Sequence, residues 1–254
     1  MRDLLTPLYR ARLAAGAQDV ARAQDLRGLA FRRGLHSDAD AYDLRADHLL
    51  VETLAGEALA TFRIAVFDAT DDLRHSYAAQ FYDLTRFAAQ PGRKAEVGRF
   101  CLHPLAQDPD LVRLCWAALA RLTFDRKVAH LFGCTSLAGA DAQIHAPALA
   151  WLAQTALGPA SLRPQPRGGA VAMTGGTAGP APDAKGVPPL LRFYLTLGGW
   201  VADHAQIDRD LDTVHVFTAL SLTDLTPARA KRLRAVAALG QTAAAPVDAA
   251  RKAV

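Results

Sequence analysis

The chain has 254 residues, 51% of them hydrophobic, and a formal net charge of +4 with a pI near 9.1. That is enough apolar material for one large core, yet no run reaches the roughly 18 apolar residues that a spanning helix needs. The opening Met1-Arg2-Asp3-Leu4-Leu5-Thr6-Pro7 also lacks the apolar stretch and cleavage site of a secretory signal. A cytoplasmic protein is expected, mildly basic, and better suited to an acidic partner or an anionic membrane surface than to nucleic acid. Cys101, Cys115 and Cys134 stand isolated in apolar segments with no C-x-x-C spacing. They suggest neither a disulfide framework nor a metal site, and read as buried thiols.

In chain order, Leu8 to Ala15 alternates loosely and reads as a first strand. Gln18-Asp19 offers a cap to a helix carrying Val20, Ala23, Gln24, Arg27, Ala30 and Phe31, which Gly34 ends. A polar loop from Ser37 to Asp43 is too acidic to be a packed element. It leads into a hairpin, Asp47–Glu52 and Ala58–Val66, around a turn containing Gly56. Residues 68–94 are irregular, with apolar islands at Phe81, Tyr82, Leu84 and Phe87 placed to cover a site.

The stretch from Glu96 to Leu102 reads as an apolar strand ended by Pro104. Asp108, Pro109 and Asp110 then open an amphipathic helix with Leu111, Leu114, Cys115, Ala118, Leu119 and Leu122 on one stripe. Val128 to Leu137 reads as a buried strand, and Ile144 to Leu157 as a helix that Pro147 interrupts. Residues 158–189 hold seven of the 18 glycines and seven of the 14 prolines, so a long loop with a mobile middle is expected. Pro188-Pro189 opens another helix, Trp200–Ala202 and Val214–Leu220 are the last strands, and Thr226-Pro227 caps a basic helix to Leu239. The alanine-rich end should fray. These readings give one α/β domain over residues 1–220, with a mixed central sheet flanked by helices. A basic helix and a partly disordered tail follow over 221–254.

Side chains two apart on a strand share a face, so Glu96, Gly98 and Phe100 are expected on one side and Val97, Arg99 and Cys101 on the other. A charge on each side of an apolar strand is costly unless each is partnered. Arg27, Asp40, Asp43 and Arg63 are the candidate partners. At this level a structural ion network and a catalytic site remain equally open.

The ordered set Leu26-Arg27 with Phe31, Asp40-Ala41-Tyr42-Asp43, Asp47-His48-Leu49-Leu50-Val51, Thr61-Phe62-Arg63 and Glu96-Val97-Gly98-Arg99-Phe100-Cys101-Leu102-His103-Pro104 resembles the acyl carrier protein-dependent L-ornithine N-α-acyltransferases. Those enzymes make lyso-ornithine lipid. Gly133-Cys134-Thr135-Ser136-Leu137-Ala138-Gly139-Ala140-Asp141 and Pro188-Pro189-Leu190-Leu191-Arg192-Phe193-Tyr194-Leu195 extend the resemblance over residues 8–220. Acyl-homoserine-lactone synthases share the first half of the set, and both groups have a GNAT-like fold.

The resemblance implies transfer of a (3-hydroxy)fatty acyl group from an acyl carrier protein thioester to the α-amine of an amino acid. L-Ornithine is the first expectation, with glutamine, lysine or lactone-synthase chemistry as alternatives. It places Glu96 as base, with Arg99 beside it in the catalytic set. Arg27, Phe31, Asp40, Asp43, Arg63 and Ser136 fall around the substrate, and the oxyanion donors lie in the main chain near Phe100, Cys101 and Leu102. No metal and no resident cofactor is implied, because the acyl group arrives on the carrier's phosphopantetheine.

The loop Leu105-Ala106-Gln107-Asp108-Pro109-Asp110 fits that donor. It has no glycine, no basic residue and two acids where a coenzyme A pyrophosphate would bind. Arg93-Lys94, Arg113 and Arg126-Lys127 are candidate contacts for an acidic carrier. Leu102, Leu131, Trp151, Leu190 and Phe193 are candidates for an acyl tunnel. The basic C-terminal helix suits peripheral attachment to the inner membrane face or docking on a membrane-bound O-acyltransferase. As a reading of another class, it suits a binding module without catalysis.

Overall fold

The computed structural model describes residues 1–173 and 181–240. Its strands are β1 (Leu4–Leu5), β2 (Tyr9–Leu13), β3 (Asp47–Thr53), β4 (Ala58–Phe67), β5 (Tyr82–Asp83), β6 (Arg93–Leu102), β7 (Val128–Ala138), β8 (Gln165–Pro166), β9 (Val171–Ala172), β10 (Trp200–Asp208) and β11 (Thr213–Ser221). The helices are α1 (Ala17–Phe31), α2 (Thr85–Ala88), α3 (Pro109–Asp125), α4 (Ala146–Thr155), α5 (Pro189–Thr196) and α6 (Pro227–Ala237). Nine strands form one sheet in the order β1-β2-β3-β4-β6-β7-β11-β10-β9, and β5 with β8 makes a separate ribbon. Neighbours in the large sheet run antiparallel except β6 and β7, which are parallel and joined through α3. This is the mixed, helix-flanked sheet expected from the sequence.

The two faces of the sheet have different occupants. On one, Leu49, Val51, Phe62, Ile64, Ala95 and Leu131 pack against Leu111, Leu114, Leu119 and Leu122 of α3. Helix α6 lies on α3 and buries Leu233 and Ala237 in the same core. The basic C-terminal helix is thus tied to the main core. On the other face α1 lies over β3, β4 and β6, and the segment after β4 folds back so that Leu73, Ala78, Tyr82 and Phe87 pack on Phe132 and Phe217. The irregular stretch 68–94 therefore does cover one face.

Several local expectations change. Helix α1 is capped by Gly16 without a side-chain bond, because Asp19 is engaged by Arg12 and Arg22. Pro147 sits in the first turn of α4, where no intrahelical N–H is needed, and does not break it. The 158–189 loop carries β8, β9 and a short 3₁₀ turn at Ala184–Gly186, with β9 extending the sheet edge along His204 and Ala205. The middle of that loop, 174–180, and the tail from 241 onward lie outside the described residues.

The largest change concerns β6. Thr61 faces Cys101 and Arg63 faces Gly98, so Phe62 alone stands opposite both Arg99 and Phe100. The extra residue is a β-bulge, and Arg99 adopts a left-handed conformation, φ 54°. The bulge resets the alternation. Phe100 stacks on Phe62 in the α3-side core, together with Val97 and Leu102, while Arg99 joins Glu96 on the α1 side. The expected partition of Phe100 and Arg99 is reversed by that one residue.

Pairing of β6 with β7 runs only from Arg93/Val128 to Glu96/Phe132. Beyond it the strands part, and β7 continues alongside β11 alone. At the apex of the split Gly133 lies so close to Val97 that a Cβ would run into the Val97 carbonyl oxygen. Gly133→Ala should therefore lower the unfolding free energy by about 1–3 kcal/mol through overpacking. Gly169→Ala, with open space around its position, should change it little. Urea melts of the two variants check this.

Candidate active site

Three arginines and three aspartates form a closed ring of alternating charge under α1. Arg27 Nε meets Asp38 Oδ2 at 2.9 Å and its Nη1 meets Asp43 Oδ1 at 2.7 Å. Arg63 donates from Nη1 to the same Asp43 oxygen at 2.7 Å and also to Asp40. Arg99 closes the ring, with Nε to Asp38 Oδ2 at 2.7 Å and Nη2 to Asp40 Oδ2 at 3.1 Å. Each arginine bridges two aspartates and each aspartate two arginines. Arg32 adds a further bond to Asp38 at 3.0 Å.

The acidic loop is shaped for this ring. Asp40 caps a 3₁₀ helix over Ala41–Arg45, accepting from the Tyr42 amide at 2.9 Å, and Asp43 returns a bond to the Asp40 amide at 3.1 Å. Burial would raise the Asp43 pKa, but bonds from Arg27, Gln24 and Arg63 outweigh it and hold the carboxyl well below its usual range. Burial likewise opposes ionisation of Asp38, and Arg99 and Arg27 reverse the balance.

Glu96 lies on the same face but outside the ring. Its two carboxylate oxygens accept from the backbone N–H groups of Tyr77 at 2.8 Å and Ala78 at 2.7 Å. It is 6% exposed. Burial raises its pKa, and the two amides and the Arg63 charge offset this only in part. The Tyr77 ring lies 4.9 Å from the Arg99 guanidinium and 5.6 Å from the Tyr42 ring, and its hydroxyl donates to Asp208. The buried Cys101 thiol is pushed up to about 12 by burial, which leaves it unreactive.

A cavity of about 440 Å³ passes through the sheet at the β6/β7 split. Its α1-side end is polar, with Tyr42, Arg45, Arg63, His75, Tyr77, Glu96 and Arg99. Its α3-side end is apolar, with Phe100, Leu102, Val112, Trp116, Leu190 and Tyr194. Of the residues singled out from the sequence, Glu96, Arg99, Arg63, Phe31, Phe100, Leu102 and Ser136 line the cavity. Arg27, Asp40, Asp43 and Cys101 lie behind its wall. Fully enclosed Arg27 is a strut of the ring. Among the tunnel candidates Leu102 and Leu190 line this cavity, Leu131 and Phe193 a small apolar crevice behind Trp116, and Trp151 packs in a separate core with α4.

Backbone polarity at the bulge follows from ladder alternation. The His103 N–H bonds the Leu59 carbonyl at 2.7 Å, so Leu59, Thr61 and Arg63 turn their polar groups toward β6 while Phe62 turns its own toward β3. By that alternation Phe62 turns no carbonyl toward Arg99 and Phe100, which stand opposite it, and β7 has already parted.

Asp38, Tyr42, Arg45 and Tyr77 were not picked out from the sequence. Asp38 had a signal, since it stands with Asp40 and Asp43 in the one acidic loop. Tyr77 had none, because it reaches the site through an irregular segment. Among the basic residues considered for carrier docking, Lys127 is exposed and has no carboxylate partner among the described residues. Lys94 is buried with its Nζ on backbone carbonyls, and Arg93, Arg113 and Arg126 are paired with Asp68, Asp110 and Asp47.

Breaking the ring should be costly. Asp38→Asn leaves Arg27 and Arg99 short of an anion in a buried place and should lose about 3–5 kcal/mol of stability in urea melts. Asp38 and Asp43 have folded pKa values below their unfolded ones, so their contribution is complete above about pH 4 and is lost as pH falls through the folded values. Wild-type stability should therefore drop on acidification below about pH 4, and that drop should be smaller in Asp38→Asn.

A family model described as an acetyltransferase (GNAT) domain matches residues 27–117. An L-ornithine N(alpha)-acyltransferase of Rhodobacter capsulatus is 31% identical over 229 residues, spanning 82% of this chain and 88% of that protein. A protein of the same name from Rhizobium meliloti is 26% identical over 83% of the chain and 79% of its own length. Among solved structures, FeeM, an N-acyl amino acid synthase from uncultured soil microbes, superposes with a TM-score of 0.54 at 11% identity. It covers 86% of this chain and 94% of its own, a likeness of fold. With the extent and identity of the Rhodobacter match, the chain belongs to the L-ornithine N(alpha)-acyltransferase family and is an N-acyltransferase of GNAT-like fold.

Proposed function

We propose that the protein transfers a (3-hydroxy)fatty acyl group from an acyl carrier protein thioester to the α-amine of L-ornithine, giving lyso-ornithine lipid. The observation that carries this reading is Glu96, a buried carboxylate with raised pKa, held by two amides at the polar end of a cavity whose other end is apolar. The ammonium form of the acceptor enters the polar end, and Glu96, directly or through a water, takes its proton. The neutral amine attacks the thioester carbonyl, and the oxyanion is met by the unpaired amide of Phe100, four residues from Glu96 and nearer to it than Leu102. Collapse breaks the C–S bond; the second proton shed by the nitrogen goes to the leaving thiolate, and Glu96 releases the first to solvent. The acyl chain lies toward Trp116 and Tyr194.

Proton transfer and oxyanion stabilisation need no metal and no resident cofactor. A carrier-borne thioester is favoured by Asp108, which caps α3 by accepting from the Asp110 amide at 2.8 Å. A carboxylate already fills the helix N-terminus that a pyrophosphate would need. Helix α6 presents Arg229, Lys231, Arg232 and Arg234, all exposed and without a carboxylate partner among the described residues. Its charge supports contact with the acidic carrier, the inner membrane surface or a membrane-bound O-acyltransferase. No helix among the described residues is long and apolar enough to cross a membrane, so such attachment would be peripheral, on the cytoplasmic side.

Release of carrier thiol should require both acyl carrier protein thioester and amino acid, with L-ornithine ahead of lysine and glutamine. Release with S-adenosylmethionine alone would overturn the lipid reading. Glu96→Gln should lower kcat by about 10²- to 10⁴-fold. As a base Glu96 must be ionised, so wild-type kcat/KM should fall with pH along an acid limb lying above the ordinary carboxyl value of 4.5, and the variant should lose that limb.

A further inference from the structure

We infer that Arg45 binds the α-carboxylate of the amino-acid acceptor and so makes the enzyme selective for free amino acids over their amides and esters. This rests on the acyl-transfer reading above and extends it to the acceptor's recognition. The acceptor carries one anion, bonded to the same carbon as its reacting amine. A cation on the wall of the Glu96 cavity is therefore the group to look for, and a guanidinium is the best-shaped partner for a carboxylate.

The arginines expected in that role are committed elsewhere. Arg27 is enclosed and does not reach the cavity. Arg63 and Arg99 do reach it, but each already bridges two aspartates of the neutral ring. Arg45 differs on every point. It lines the cavity, is exposed, and has no carboxylate within ion-pairing distance among the described residues.

Its placement follows from the 3₁₀ helix Ala41–Arg45. With three residues per turn, positions three apart eclipse, so Arg45 stands in line with Tyr42, whose side chain also lines the cavity and feels the Glu96 charge. Asp43, between them, points the other way into the ring. The same turn that closes the ring thus presents a free guanidinium to the cavity. His75 also lines this end, but an imidazole offers no paired fork to a carboxylate.

The test compares L-ornithine with L-ornithinamide in wild type, Arg45→Gln, Arg45→Lys and His75→Gln, by steady-state thiol release and by calorimetric titration of the amino acid without donor. Arg45→Gln should raise KM for ornithine about tenfold or more, with little change in kcat or in KM for the acyl donor. It should also bring the ornithine-to-ornithinamide ratio close to one. Arg45→Lys should recover part of that ratio, and His75→Gln should leave it unchanged. Equal affinity of the wild type for the two ligands, or an unchanged ratio in Arg45→Gln, overturns the inference. Absence of ornithine-dependent thiol release from the wild type overturns the acyl-transfer reading instead, and the calorimetric ratio still decides the role of Arg45.

Discussion

The structure depends on the desolvation of three guanidiniums. Arg27 on α1, Arg63 on β4 and Arg99 on β6 are withdrawn from water on one face of the sheet, and ions so placed are tolerated only if each is paired and hydrogen-bonded. The pairing comes from a single short loop, Asp38 to Asp43, whose aspartates each serve two arginines of the ring. Loss of one partner of a buried pair costs roughly 3–5 kcal/mol, against a typical total stability of roughly 5–15 kcal/mol. The loop, helix α1 and two central strands are therefore not independent elements. They stand or fall with the charge balance of the ring.

The ring also bears on the role proposed for Glu96 as base. Asp43 and Glu96 are both buried carboxylates on the same face, yet their pKa values move in opposite directions. Asp43 has two guanidiniums in direct contact; Glu96 has only two neutral amides. Had Arg63 or Arg99 been free to turn toward Glu96, its carboxyl would have been drawn down with the aspartates and would be a poor proton acceptor at neutral pH. Saturating the arginines with aspartate leaves the Glu96 pKa raised by burial.

Periodicity and turn chemistry made most of the fold legible. The α3 stripe, the β3–β4 hairpin and the Asp108-Pro109 cap stand where the residues put them. Five of the six ring residues were legible too, all but Asp38, since an acid or base inside an apolar element demands a partner. Three things were hidden. The bulge at Arg99 leaves no mark in a strand that reads as continuous, and alternation then assigned Phe100 and Arg99 to the wrong faces. Tyr77 arrives from a segment without periodicity, and its role lies in its amide and ring stacking, which composition does not encode. The division of the arginines into struts and cavity wall was likewise out of reach, because it depends on which donor nitrogens are already taken.

The bulge links the ring to the chemistry. A left-handed backbone at a non-glycine residue costs of order 1–3 kcal/mol and persists only where its surroundings hold it. Here the side chain of Arg99 supplies the hold, anchored on Asp38 and Asp40 with the Tyr77 ring against its guanidinium. Because Arg99 takes the extra position, Phe62 faces two residues at once, and the amides of Arg99 and Phe100 are released from β4 at the place where β7 has already turned away. Release from one neighbour alone would leave those amides in an ordinary edge ladder; with both neighbours withdrawn, the amides sit in backbone that lines the cavity. In the proposed reaction the ring therefore serves by holding the backbone, with Arg63 and Arg99 also on the cavity wall. On that proposal it fixes the backbone that the thioester carbonyl would meet, and acceptor recognition would fall to the side chains that the same loop turns the other way.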